Sequence, residues 1–217
     1  MTYDGAMTAT ETRTPLTRDR IIDAAVAFAD ENGVDELSMR KLGAELGVEA
    51  MSLYNHVENK DDIFDGMIDQ VFAAIPLPEA DDDWRASIRG IALQAMDQFT
   101  IHAWVVNLLM QRGHFGNSSL LFMDRVLGML RTAGFSDEDA HHAWQMLASH
   151  TMGYAFQQAS GGPMEKEWEG MEQQLSSLQS QFPNVAQLAP YLAACEFGTE
   201  FAFGLDIIID GLSARLD

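Results

Sequence analysis

The stretch from Leu37 to Met67 reads LSMRKLGAELGVEAMSLYNHVENKDDIFDGM, and its spacing decides how the chain folds. Ser38 has the side chain of a helix cap, and Met39, Leu42 and Leu46 follow it at helical spacing. Gly47 permits a sharp left-handed corner, and Val48 is placed to plug the seam that the corner leaves. A second short helix then runs from Ala50 to about His56, with Leu53 and Val57 turned inward. Its outward set, Ala50, Met51, Ser52, Tyr54, Asn55 and His56, contains no acid, which suits a surface entering a DNA groove between phosphates. Asn59 caps a longer helix with Asp61 and Asp62 in its first turn, where the helix dipole favours negative charge. Phe64, Met67 or Ile68, Val71 and Ile75 form its apolar side. These are the parts of a helix-turn-helix spanning Ser38 to His56. By spacing alone they are equally the parts of a helical hairpin with a solvated polar face.

Upstream, Thr17 caps a helix to Asn32 whose Ile21, Ala25, Phe28 and Ala29 make one apolar stripe, and Gly33 is its expected left-handed stop. Met1 to Pro15 is a polar, Thr-rich leader. Downstream, Pro76-Leu77-Pro78 and the acids after it end the helix that begins at Asn59 and mark a boundary. Longer helices are expected over 83–99, 103–111, 118–133, 137–159 and 190–215, with a break at Ser160-Gly161-Gly162-Pro163 and a short helix near Trp168–Gln181. Strand-like alternation is absent, so the fold class is all-α.

The 217 residues are 47% hydrophobic, enough for a packed core, and no apolar run nears the roughly 18–20 residues that span a bilayer. A cytoplasmic protein is expected. Cys195 is the single cysteine, which excludes intramolecular disulfides and argues against a thiolate cluster. The net charge of -20 has the wrong sign for a nucleic-acid binder and, taken alone, favours an acidic enzyme or scaffold. The few cations nevertheless include Arg18, Arg20, Arg40, Lys41 and Lys60, all near the helix-turn-helix. DNA feels near charges most, because salt screens fields over about 8 Å. Weak non-specific affinity and strong dependence on a matched site are the expectation.

The run from Leu16 to Gly66, above all RKLGAELGV followed by SLYNHVENKDDI, resembles the DNA-binding domain of the tetracycline-repressor (TetR) family. GFSDEDAHHAWQMLASHTMGYAF and FAFGLDIIIDGLSARL are similar to the C-terminal regulatory domain of the tetracycline-repressor subgroup. The resemblance implies a DNA-binding domain over 16–66 and a ligand-binding, dimerising domain over 67–217. It implies a repressor that binds a pseudo-palindromic operator as a homodimer and is released by a small-molecule inducer. Arg40, Ser52, Tyr54, Asn55, His56 and Lys60 are implied at the DNA. Arg40, Ser52 and Asn55 are the candidates for base edges, while Tyr54, His56 and Lys60 hold phosphates. Ala50 and Met51 depart from the polar residue or proline of the tetracycline repressor, so its operator preference does not transfer.

In the regulatory half, the family pattern places a four-helix dimer interface on helices 137–159 and 190–215. Their small residues fit it: Ala140, Ala143, Ala148, Thr151, Gly153 and Ala155 on one, Gly198, Gly204 and Gly211 on the other. The same pattern also serves tight packing within one subunit. Candidate ligand contacts are His102, Trp104, Asn107, His114, Met123, Trp144, His150 and Phe156, a mixed apolar and hydrogen-bonding set. His114 falls near a magnesium-binding histidine of the tetracycline repressor, but its flanks, RGHFGNSS, depart from that pattern, and no cofactor or metal is expected.

Other function classes find little support. There is no nucleotide-cradling glycine loop, no Gly-x-Ser-x-Gly elbow and no His-Glu-x-x-His helix. Glu138-x-x-His141 lacks the second copy that a carboxylate-bridged metal site needs, and no two of the six histidines stand at i, i+4.

Overall fold

The computed structural model describes residues 15–77, 83–112, 116–160, 179–193 and 196–216. Among these, ten α-helices and one short 3-10 turn make up the regular structure, with no strand. Helix α1 (Arg18–Asn32) starts where Thr17 accepts the Arg20 N–H. It buries Ile21, Ile22, Ala25, Val26, Phe28 and Ala29. After the 3-10 turn Val34–Glu36 come α2 (Met39–Glu45), capped by Ser38, and α3 (Ala50–Leu53). Helix α4 (Lys60–Ala73) is capped by the Asn59 side chain and buries Ile63, Met67, Ile68 and Val71. Helices α1, α2 and α3 thus form a small head that leads into α4.

The rest is a bundle: α5 (Trp84–Ile101), α6 (Trp104–Arg112), α7 (Asn117–Thr132), α8 (Asp137–Ala159), α9 (Pro183–Ala193) and α10 (Phe197–Ser213). Helix α8 lies at its centre, packed by α5, α6, α7 and α10. Helix α4 leaves the head and packs on both α1 and the bundle helices α6 and α7. Helix α7 has no side-chain cap of its own. Instead Asp69 of α4 accepts the Asn117 and Ser118 N–H groups at 3.1 and 3.0 Å, satisfying donors that a helix start leaves open.

Four expectations need correction. Gly33 has φ 84° but ψ 147°, outside the left-handed helical well, in a region that glycine alone occupies freely. The second short helix stops at Leu53, and Tyr54 to His56 form a turn closed by the His56 N–H on Leu53 O. The expected 190–215 helix is two, because α9 already starts at Pro183, a residue suited to a first helical position, and carries Pro190 inside it. Ala140, Ala143, Thr151 and Ala155 are buried within the chain, so they serve packing inside the subunit. Of the three α10 glycines, only Gly204 lies against a neighbour, the His150 ring; Gly198 and Gly211 face open space. The leader up to residue 14 and the expected helix near Trp168, up to residue 178, lie outside the described residues.

The corner between α2 and α3 rests on Gly47 at φ 65° and on Gly43, where an added Cβ would stand 2.9 Å from Val48 O and 3.2 Å from Ala50 N. Both neighbours are backbone and cannot swing aside. Gly43→Ala should therefore cost on the order of 1–3 kcal/mol by overpacking. Gly90→Ala, on an exposed stretch of α5 with nothing near the new methyl, should stabilise by roughly 0.5–1 kcal/mol. Thermal melts of the two variants check both signs.

Candidate nucleic-acid interface and effector chamber

The surface formed by α2, α3 and the turn after it is the outward face of the head. Arg40, Tyr54, Asn55 and His56 are exposed, and Ser52 is half-buried at the edge of a shallow cleft with Gly43, Gly47 and Val48. Met51 is 74% exposed, the largest value for any bulky apolar side chain of the head. Leu53 and Val57 are buried, as the alternation requires. Arg40 has no ion-pair or hydrogen-bond partner among the described residues, so its guanidinium is available. Lys41 is tied to Glu36, and Lys60 lies 4.8 Å over the Phe64 ring.

The head is itself acidic, with five Lys and Arg against twelve Asp and Glu over 16–66. Many of these acids are engaged in holding the structure. Asp62 pairs with Arg18 at 2.7 Å across α1 and α4 and also accepts the Glu58 N–H. Asp23 accepts from Gln70, and Asp30, Asp61 and Asp65 bind bundle residues. Partial burial works to raise the Asp62 carboxyl, but the Arg18 hydrogen bond, the Glu58 amide and the Arg18 charge outweigh it, so it titrates below its ordinary 3.8.

Inside the bundle is a chamber of about 280 Å³ walled by α4, α5, α6, α7 and α8. Aromatic rings from four helices form much of its wall. Phe72 meets Phe99 and Phe122 edge-on at 5.8 and 5.5 Å, and Phe122 meets Trp144 at 6.1 Å. Among the described lining residues the polar side chains are Gln145 and Thr151, beside the Trp144 indole with its N–H, and the Thr151 hydroxyl already donates to Leu147 O. None of the described residues that line it is charged. An aromatic cavity with few polar groups is the usual form of a small-molecule site.

A family model described as the tetracyclin repressor-like C-terminal domain matches residues 76–216, and one for bacterial regulatory proteins of the tetR family matches residues 21–67. The class A tetracycline repressor from transposon 1721 of Escherichia coli is 32% identical over 93% of each chain. The HTH-type transcriptional repressor DrrR1 of Streptomyces coeruleorubidus is 31% identical over 91% of this chain and 77% of its own. The chain belongs to the TetR family. A crystal structure of the Streptomyces coelicolor TetR-family protein ActR in complex with actinorhodin aligns with a TM-score of 0.84 at 31% identity, covering 94% of this chain and 99% of that one. TetR-family proteins are transcriptional regulators rather than enzymes. No described helix of this regulator is long and apolar enough to cross a membrane.

Of the candidate ligand contacts, the chamber of this TetR-family regulator contains Trp144. His150 lies between α8 and α10, stacked on Phe201 and bonded to Phe201 O at 2.9 Å. Phe156 edges an outer groove, Asn107 is exposed, Met123 is half-buried on α7 outside the lining, and His114 lies outside the described residues. Helical spacing from Trp144 would have found Ala148 and Thr151 at i+4 and i+7, and Gln145 and Met152 on the adjoining row.

His102 and Trp104 instead bind the head. Asp30 of α1 accepts from the Trp104 indole at 2.6 Å and lies 2.8 Å from His102 Nδ1. At the other end of α6, Arg112 binds Asp61 at 2.5 Å and Asp65 at 3.0 Å, both on α4. Between these ties α6 lends Leu109 and Met110 to the chamber, and α4 lends Phe72. The TetR-family head and chamber are therefore joined through two shared helices.

The lowered Asp62 carboxyl sets an acid response. A folded-state value below the unfolded one means the Arg18–Asp62 contribution is complete above the unfolded value and is lost as pH falls below about 4. Asp62→Asn should flatten that limb, leaving a smaller difference between stability at pH 7 and pH 3 than in the wild type, measured by urea unfolding at both.

Proposed function

We propose that the protein is a repressor that binds a pseudo-palindromic operator as a homodimer and leaves it when a small molecule fills the bundle chamber. Residues 16–66 read the DNA and residues 67–217 bind the inducer and dimerise, in the cytoplasm. The single observation that carries the reading is that α4 runs from the head into the chamber wall, while α6, which also lines the chamber, is tied to the head at both ends. A ligand that displaces Phe72, Leu109 or Met110 acts on helices pinned to the head at Asp30, Asp61 and Asp65. Allosteric coupling is typically 1–3 kcal/mol, the scale of one or two hydrogen bonds to an ionised carboxylate. These ties are partly exposed and individually weaker than that, so rearranging several of them together is what reaches the range.

Binding at the operator falls to Arg40, Ser52, Tyr54, Asn55, His56 and Lys60. Arg40, free and exposed, supports the strongest share, reaching a base edge or phosphate. Ser52 and Asn55 offer hydrogen bonds to bases, and Tyr54, His56 and Lys60 hold the backbone. Two heads about 34–36 Å apart match successive major grooves.

Dimerisation through α8 and α10 is supported by what they leave exposed. The two run antiparallel, fixed by Arg215 on Asp139 and by His150 on Phe201. Met146 on α8 and Phe203 and Ile207 on α10 are each half or more exposed at that level. Exposed apolar clusters of this kind mark association surfaces.

Selection from random duplex DNA at low salt should enrich one palindrome. Arg40→Ala should weaken its binding by roughly 1–3 kcal/mol and, where Arg40 holds a phosphate, lower the salt slope by about one per head. Recovery of no enriched sequence would overturn the operator reading. Phe203→Asp should convert a sedimenting dimer to monomer and, with it, weaken operator binding at least tenfold. A variant that stays dimeric at micromolar concentration counts against the α8–α10 interface.

A further inference from the structure

Outside the chamber, α6 and α8 form a groove lined by Met110, Ala148, Ser149, Met152, Gly153 and Phe156. Three of these, Met110, Ala148 and Met152, also line the chamber, so the two spaces share a wall. That wall is soft. Met110 is 65% exposed on α6, and methionine is the most adaptable of the apolar side chains. The groove floor is small-sided: Ser149 is exposed, and a Cβ added at Gly153 would meet nothing within 4 Å. At about 280 Å³ the chamber alone sits at the lower limit of ligand sites, which run to roughly 1,000 Å³.

We infer that the effector site is bipartite, and that its ligand is an elongated, uncharged aromatic molecule with one end among the chamber rings and the other along the α8 groove. The inference rests on the chamber being the effector site. Its chemical class follows from the lining. None of the described residues that line the chamber or the groove is a Lys, Arg, His, Asp or Glu, so these walls offer a charged ligand no partner to replace its lost hydration. Thr151 has its proton on Leu147 O and is left to accept, which suits a hydroxyl or amine donor at the deep end. Gln145 and Ser149, both exposed, offer hydrogen bonds to polar substituents on the outer half.

The test uses the full chain, titrated calorimetrically with three probes. These are 1-naphthol, short enough for the chamber; Nile red, a longer uncharged dye; and Nile blue, its cationic analogue on the same ring skeleton. Gly153→Leu fills the groove without touching the chamber, its better helix propensity keeps α8 folded, and sedimentation checks that it keeps the wild-type oligomeric state, since Gly153 shares an α8 stripe with Met146. Ala95→Phe fills the chamber, with Ala92→Met as a milder filler should the first melt early. Nile red should bind the wild type at least tenfold more tightly than Nile blue. Gly153→Leu should weaken Nile red at least tenfold while leaving 1-naphthol within twofold, and the chamber fillers should weaken both. If Gly153→Leu leaves Nile red unchanged, or alters the oligomeric state instead, the groove is no ligand subsite. Equal binding of the two dyes defeats the exclusion of charge. If neither 1-naphthol nor Nile red binds the wild type, or the fillers change nothing, the effector-chamber reading itself fails, and the bipartite site with it.

Discussion

One carboxylate oxygen, Oδ1 of Asp30, takes both the Trp104 indole N–H and the His102 ring nitrogen. That contact joins the first helix of the head to the corner where α5 gives way to α6. At the far end of the same helix, Arg112 reaches back to Asp61 and Asp65. Helix α6 is thus a crossbar of nine residues with both ends on the head and its middle in the chamber wall. Together with the continuous α4, this crossbar connects the head to the chamber wall. Its ties are polar and partly exposed, so each is worth little alone and can exchange without unfolding either part.

Ion pairs within and beside the head soften part of the conflict between its acidity and an anionic partner. A carboxylate bound to Arg18, Arg112 or the Trp104 indole sits in a neutralised or directed pair, and its field at a distance is reduced. Helix α3 and its turn carry no acid. Glu45, Glu49 and Glu58 remain near the reading surface, and they penalise any approach that does not bring compensating contacts.

The reading head was legible in the sequence because its determinants are local. Thr17, Ser38 and Asn59 cap where their side chains predicted, and Gly47 makes the corner. What failed did so where the determinant is distant. The start of α7 depends on Asp69, 48 residues earlier, and nothing near Asn117 announces it. His102 and Trp104 looked like ligand contacts since a polar aromatic pair on a bundle helix suits a pocket; their partner is Asp30, more than seventy residues away. The alanines of α8 gave a pattern common to packing within a chain and between chains. Burial decides that question at each position, and sequence does not carry it. Pro190 misled for a different reason: a proline usually opens a helix, and here an earlier one, Pro183, had done so.

The tight meeting of Gly43 with the Val48 carbonyl and the Ala50 amide has a further consequence, for how such a protein can diversify. The scaffold of the reading head is held by backbone proximity, by Leu53 and by Val57. The side chains that face outward at 51, 54, 55 and 56 contribute almost nothing to that scaffold. Those positions are free to drift without cost to folding, so after duplication a descendant can change the outward face of the head while inheriting the corner, the crossbar and the chamber unchanged. Gly43 is the fixed point around which that change turns.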